Sequence, residues 1–274
     1  MIFGRTIGLL RRALAESAED RIPLVAAGAT FYVLLALFPA LGVFVSLYGL
    51  VADLGAAQRQ IAALQGLLPS GGVTVLSEQV ARLAATPPAS LGLTFALSLL
   101  LSIWSSNAGM KGVIAGLNIA YEQPERRNFL VLNLVSLTFT AGAILFAVAA
   151  VATVAAAPEL LSRIGLETIS GAAVLRWPVM LLVTAGLVSV LYRFAPSHQR
   201  PRWRWITPGS GFAALAWGAM SAAFSLYVSR FGRYDATYGS LGALAGFMTW
   251  IWLSLIVVLL GAELNSELER QTEG

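Results

Sequence analysis

The residues most able to do chemistry in this chain cluster in and just after the stretch "SSNAGMKGVIAGLN", Ser105 to Asn118. On a helix at about 100° per residue, Lys111, Asn118 and Glu122 fall within roughly 60° of Asn107, so the four share one stripe. An ammonium flanked by carboxamides suits an anionic group, because the charge attracts it and the amides add hydrogen bonds. Gly109, Gly112 and Gly116 lie about 140–200° from Asn107, on the opposite face. The Gly112–Gly116 spacing is a small-xxx-small pattern that lets a second helix come close. Lys111 is the single lysine among 18 basic residues.

The elements that position this stripe follow from composition. Hydrophobic residues make up 57% of the chain and charged residues 12%, against about 25% charged in a soluble domain. The sequence therefore reads as a single all-α, polytopic membrane domain over 1–274. There is no cysteine and one histidine, His198, which excludes disulfides, iron–sulfur ligation and ordinary Cys/His zinc sites. No metal or cofactor is expected. The opening residues carry early charges and lack an apolar core before a small-residue cleavage site, so a cleavable signal peptide is not expected.

Six segments approach the roughly 20 apolar residues a span needs: Leu24–Val51, Ser90–Ala108, Phe129–Ala156, Ala173–Phe194, Pro208–Ser229 and Gly239–Leu260. They are too long and too evenly apolar for barrel strands. Arg5, Arg11, Arg12, Arg21, Lys111, Arg126, Arg127, Arg193, Arg200, Arg202, Arg204 and Arg270 fall on one side of these spans. Arg59, Arg82, Arg163, Arg176, Arg230 and Arg233 fall on the other. The excess predicts that both termini are cytoplasmic. Counted from Leu91, Lys111 lies roughly 30 Å along the helix, near the cytoplasmic boundary. There it either snorkels to the interface or serves an anion site.

The flanking regions have their own patterns. In segment 1–22, Phe3, Ile7, Leu10 and Leu14 recur at helical spacing away from the arginines, as in a helix lying on the cytoplasmic leaflet. The outer loop 53–89 reads as two short amphipathic helices broken by "PSGG". The loop "HQRPRWRW" interleaves Arg200, Arg202 and Arg204 with Trp203 and Trp205. Beside two spans this reads as contact with anionic lipid headgroups rather than nucleic acid. Pro39, in the same span as Tyr32, predicts a kink near Leu35 to Phe38 that is either structural or a hinge. Gly239, Gly242 and Gly246 suggest a second close-packing face. Glu263 opens an acidic cytoplasmic tail, 261–274, and could pair with Lys111 or an inner-loop arginine, or act in gating.

Three stretches, "AAGATFYVLLALFPAL", "SSNAGMKGVIAGLNIAYEQPERRNFL" and "YGSLGALAGFMTWIWLSLIVVLLGAELNSELE", resemble the YihY/BrkB family of bacterial inner-membrane proteins over nearly the whole chain. Tyr32, Pro39, Asn107, Gly109, Lys111, Gly112, Asn118, Tyr121, Gly239, Gly261, Glu263 and Asn265 occupy its motif positions, and Tyr121 joins the candidate binding set from there. The resemblance implies six helices with both ends inside and a role in envelope integrity, serum resistance or lipid export. It also brings an older ribonuclease BN label. One histidine and scattered carboxylates do not make a metal-dependent nuclease site, and no phosphate-binding "GxxxxGK[ST]" pattern occurs. Two functions are expected from the sequence. One is a non-enzymatic transporter or flippase of an anionic lipid or lipid-linked amphiphile. The other is a membrane scaffold for envelope-assembly partners, with homo-oligomers as a further possibility.

Overall fold

The structure, a computed structural model, describes residues 2–51, 73, 77–78, 81, 91–143, 145, 170–197, 207–231 and 240–273. Among these, every regular element is a helix: α1 (Ile2–Glu19), α2 (Ile22–Val51), α3 (Leu91–Ala120), α4 (Phe129–Ala143), α5 (Ser170–Phe194), α6 (Pro208–Phe231) and α7 (Ser240–Glu273). Pro208–Val228 and Gly242–Gln271 are by length and composition apolar enough to cross a membrane. The ends of α1, α3, α5 and α7 meet the starts of α2, α4 and α6 at one end of the bundle, here called the base. Its core includes Ile22, Ala26, Val113, Ile114, Leu117, Tyr121, Tyr192, Ala213 and Leu259.

Small residues set the spacing of these helices. A Cβ on Gly112 of α3 would stand 3.1 Å from the Cβ of Ala29 on α2, and one on Gly109 would stand 3.3 Å from Cγ2 of Val33. A Cβ on Gly116 would be 3.0 Å from Leu259 of α7 and 3.1 Å from Val25 of α2. The glycine face of α3 is thus taken up by α2 and α7, which rotates the polar stripe away from them. A second close approach joins α6 to α7, where a Cβ on Gly261 would lie 2.7 Å from the carbonyl oxygen of Gly209. Gly246 differs from its expected packing role: a Cβ there would meet nothing within 4 Å. Gly242 lies in the first turn of α7, and Gly239 lies outside the described residues.

Within the acidic segment 261–274, α7 runs on to Glu273, with Ala262, Glu263, Asn265, Ser266 and Glu267 buried. It is held because α1 folds back over it, through Arg12 to Glu267 at 3.1 Å and Arg270 to Glu16 at 3.1 Å. In α1 the buried positions are Ala13 and Ser17, while Leu14 faces outward, so the packed stripe is offset from the apolar one read from spacing. The backbone of α2 is helical through Pro39, and its side chain lies outside the description. Tyr32 packs edge-on against Trp104 of α3 at 6.3 Å. Of the outer loop only Val73, Ser77, Glu78 and Ala81 are described, and all four are helical. Arg200, Arg202, Trp203, Arg204 and Trp205 lie outside the described residues.

Candidate functional site

Because the glycine face is buried against α2 and α7, the polar face of α3 turns toward α4 and the short segment joining them. A groove of about 640 Å³ opens there. Its walls include Lys111, Asn118, Glu122 and Glu125, with Ile114, Ala115, Ile119 and Leu132 forming an apolar side. The site is therefore amphiphilic, charged at some points and oily between them.

Lys111 sits at the level where α4 begins. Its Nζ donates to Oδ1 of Asn133 at 2.6 Å and lies 5.3 Å from the centroid of the Phe129 ring. Asn107 donates from Nδ2 to the same Asn133 oxygen at 3.0 Å, and its own Oδ1 accepts from the Ser136 hydroxyl. Asn133 in turn donates from Nδ2 to the Phe129 carbonyl at 2.7 Å, one helical turn back. The ammonium is thus satisfied by neutral groups. Among the described residues no carboxylate forms an ion pair with it.

The expected pairing of Lys111 with Glu263 is not found. Lys111 points to α4, whereas Glu263 on α7 is 1% exposed, near Glu16 of α1 and Asp20 just after it, with Oε1 lacking a hydrogen-bond partner.

The other candidate residues are placed differently from the stripe. Asn118 is a brace: its Nδ2 donates to Glu125 at 2.8 Å and its Oδ1 accepts from the Ser197 amide at 2.8 Å. The α3–α4 segment is thereby tied to the end of α5. Arg127 adds to this tie by donating to the Ala195 carbonyl at 2.6 Å and to Glu125 at 3.0 Å. Burial pushes the Glu125 carboxyl up, but hydrogen bonds from the Arg127 amide and Asn118, with the Arg127 charge, outweigh it and hold the group below its ordinary value.

Tyr121 does not line the groove. It turns into the core, edge-on to Tyr192 at 6.3 Å, and its hydroxyl accepts from Asn265 at 3.3 Å. Asn265 also receives the Gly209 amide at 2.8 Å and donates to Thr207 at 2.7 Å, so it closes the start of α6. Glu122 leaves the stripe because α3 ends before it. The amides of Glu122 and Gln123 bond back to the carbonyls of Ile119 and Asn118, both at 2.8 Å, with Glu122 at φ 49°. This is a Schellman-type cap, usually made by glycine. The Glu122 side chain then reaches Arg270 at 3.0 Å.

Asn133, Ser136, Glu125 and Arg270 are site residues that inspection of the Ser105–Asn118 stretch misses. Asn133 and Ser136 had a signal of their own, since they recur at helical spacing within the apolar run "FLVLNLVSLTFT".

Two of the helices are long and apolar enough to cross a membrane, and a polar, partly charged groove lies between α3 and α4. The family model for virulence factor BrkB matches residues 13–274, and the chain belongs to that family. Similar proteins include the putative ribonuclease-like protein YfkH of Bacillus subtilis, 33% identical over 177 residues, covering 62% of this chain and 64% of that protein. A UPF0761 membrane protein of Ralstonia nicotianae is 30% identical over 271 residues, covering 95% of this chain and 58% of that protein. Another, from Vibrio parahaemolyticus, is 25% identical over 275 residues, covering 97% and 83%. The chain thus spans less than two thirds of the length of the first two. No solved structure matches it.

Proposed function

We propose that this protein is a multi-pass inner-membrane protein of envelope maintenance that binds and moves an anionic lipid or lipid-linked amphiphile through the groove beside Lys111. The observation that carries this reading is the state of the charges. Glu122 is matched by Arg270 and Glu125 by Arg127, whereas Lys111 meets only an amide oxygen and an aromatic ring. An unmatched ammonium beside Ile114, Ala115, Ile119 and Leu132 suits a ligand with a negative headgroup and an apolar tail. Asn107 and Asn133 supply neutral hydrogen bonds next to the charge.

In this reading the base faces the cytoplasm, as the excess of arginine at that end favours, and six helices span the bilayer.

The test is movement of fluorescent phosphatidylglycerol between leaflets of liposomes containing the purified protein. Lys111→Ala is expected to bring movement down to the protein-free background at normal expression, with Lys111→Arg retaining part of it because the charge is kept. Unchanged movement by Lys111→Ala would remove the residue from the mechanism. Absence of movement by the wild-type protein would favour a scaffold.

A further inference from the structure

The side of α4 that faces α3 carries more polarity than helix packing requires. Phe129, Asn133, Ser136 and Thr140 lie within roughly 60° of one another on the helix wheel. Leu130 and Leu134, on another side, are exposed, as expected for contact with lipid. Asn133 and Ser136 are explained as interhelical hydrogen-bond partners of Lys111 and Asn107. Thr140 is not. It is 7% exposed and its Oγ1 has no hydrogen-bond partner.

A threonine within a helix can satisfy its hydroxyl on the carbonyl four residues back. Thr30 does so on Ala26 at 2.7 Å, Thr138 on Leu134 at 2.8 Å and Thr249 on Ala245 at 2.8 Å. Thr140 is an exception, about 10 Å along α4 beyond Asn133 and away from the base. A buried, unpartnered hydroxyl is unfavourable in an apolar setting, so its presence calls for an occupant that is polar and transient.

We infer that the seam between α3 and α4 is the path by which the anionic headgroup leaves the groove, with Asn133, Ser136 and Thr140 as successive hydrogen-bonding stations. This rests on the proposed lipid-moving function and extends it by naming the route. The Asn133 oxygen, which receives both Lys111 and Asn107, holds the position a phosphate oxygen takes at the first station. The same donors then serve either the carboxamide or the headgroup, and exchange between them requires the first turn of α4 to part from α3. Further along, the Thr140 hydroxyl donates to the phosphate while the acyl chains stay in the bilayer beside the exposed flank of α4.

The chain has no cysteine, so a pair can be introduced without a competing thiol. Asn107 faces Ser136 and Lys111 faces Asn133 across the seam. That antiparallel register brings Trp104 of α3 and Leu137 of α4, both exposed, to one flank of the seam, about one helical turn farther from the base than Asn107. Trp104→Cys/Leu137→Cys protein in phosphatidylcholine liposomes with fluorescent phosphatidylglycerol is bridged by a short bifunctional thiosulfonate, then released with reductant. The expected result is movement while unbridged, loss to the protein-free background when bridged and recovery on reduction. Binding of phosphatidylglycerol to the groove persists throughout. Thr140→Val, which keeps the shape and removes the hydroxyl, slows movement without weakening that binding.

Undiminished movement in both the bridged protein and Thr140→Val would overturn the route while leaving a Lys111-dependent mover intact. Movement that is absent from the wild type, or indifferent to Lys111→Ala, would instead overturn the function and the route with it.

Discussion

Lys111 and Glu125 show how differently two charged groups in one groove are held. Lys111 has neutral partners, so its charge is available to a ligand. Glu125 is engaged by Asn118 and by the amide and guanidinium of Arg127, so it serves the fold. Its folded value is depressed from the usual 4.5. Its stabilising contribution is therefore complete above the unfolded value and is lost as pH falls through the lower, folded value. Hydrogen exchange of the Arg127 amide, corrected for intrinsic rate, is expected to stay slow from neutral pH to the ordinary carboxylate value and to accelerate only below it. Acceleration at a higher pH would show that Glu125 does not hold this segment. Lys111 was visible in the sequence as a lone cation on a polar stripe. Its partner was not, because hydrogen bonding to Asn133 depends on the register of two helices and not on spacing within one.

At the scale of elements, close approach at glycine decides which face of each helix is available. Gly109, Gly112 and Gly116 seat α3 on α2 and α7, and the polar stripe turns to α4 as a consequence. The α6–α7 crossing is tighter still. A Cβ at Gly261 would meet the Tyr192 hydroxyl, the Gly209 carbonyl at 2.7 Å and the Ala213 Cβ at 2.8 Å. Gly261→Ala is therefore expected to destabilise the bundle by about 1–3 kcal/mol through overpacking. Gly211→Ala, in α6 with nothing within 4 Å of its new Cβ, gains about 0.5–1 kcal/mol from helix propensity. Thermal unfolding in detergent compares the two directly, and equal melting temperatures would refute the assignment of the crossing. The glycine spacing of α3 was legible as a packing face, whereas the similarly spaced Gly246 of α7 has nothing packed against it. Small residues permit close approach without requiring it.

Across the whole molecule, Arg270 joins three parts of the chain. It reaches Glu122 after α3 at 3.0 Å, Glu16 of α1 at 3.1 Å and Glu267 of its own helix at 3.8 Å. Glu267 is buried, but Arg270 and Glu122 are exposed and Glu16 is half-buried, so the pairs to Glu122 and Glu16 each contribute at most about 1 kcal/mol. The effect of Arg270→Gln is expected in hydrogen exchange, with faster exchange in α1 and the Glu122 cap and little change in α6. Unaltered exchange in α1 would mean that Arg12 and the buried Ala13 and Ser17 hold it alone. What the sequence determined by itself was the class of molecule: hydropathy and period are properties of each segment taken singly, and they sufficed for an all-helical chain with a membrane character and an amphipathic start. Tertiary structure alone decided that Tyr121 turns inward, that the acidic end of α7 is buried beneath α1 and that Lys111 meets α4 rather than Glu263. Each of these depends on how far one helix is rotated against another, and that rotation is set by contacts between residues distant in the chain.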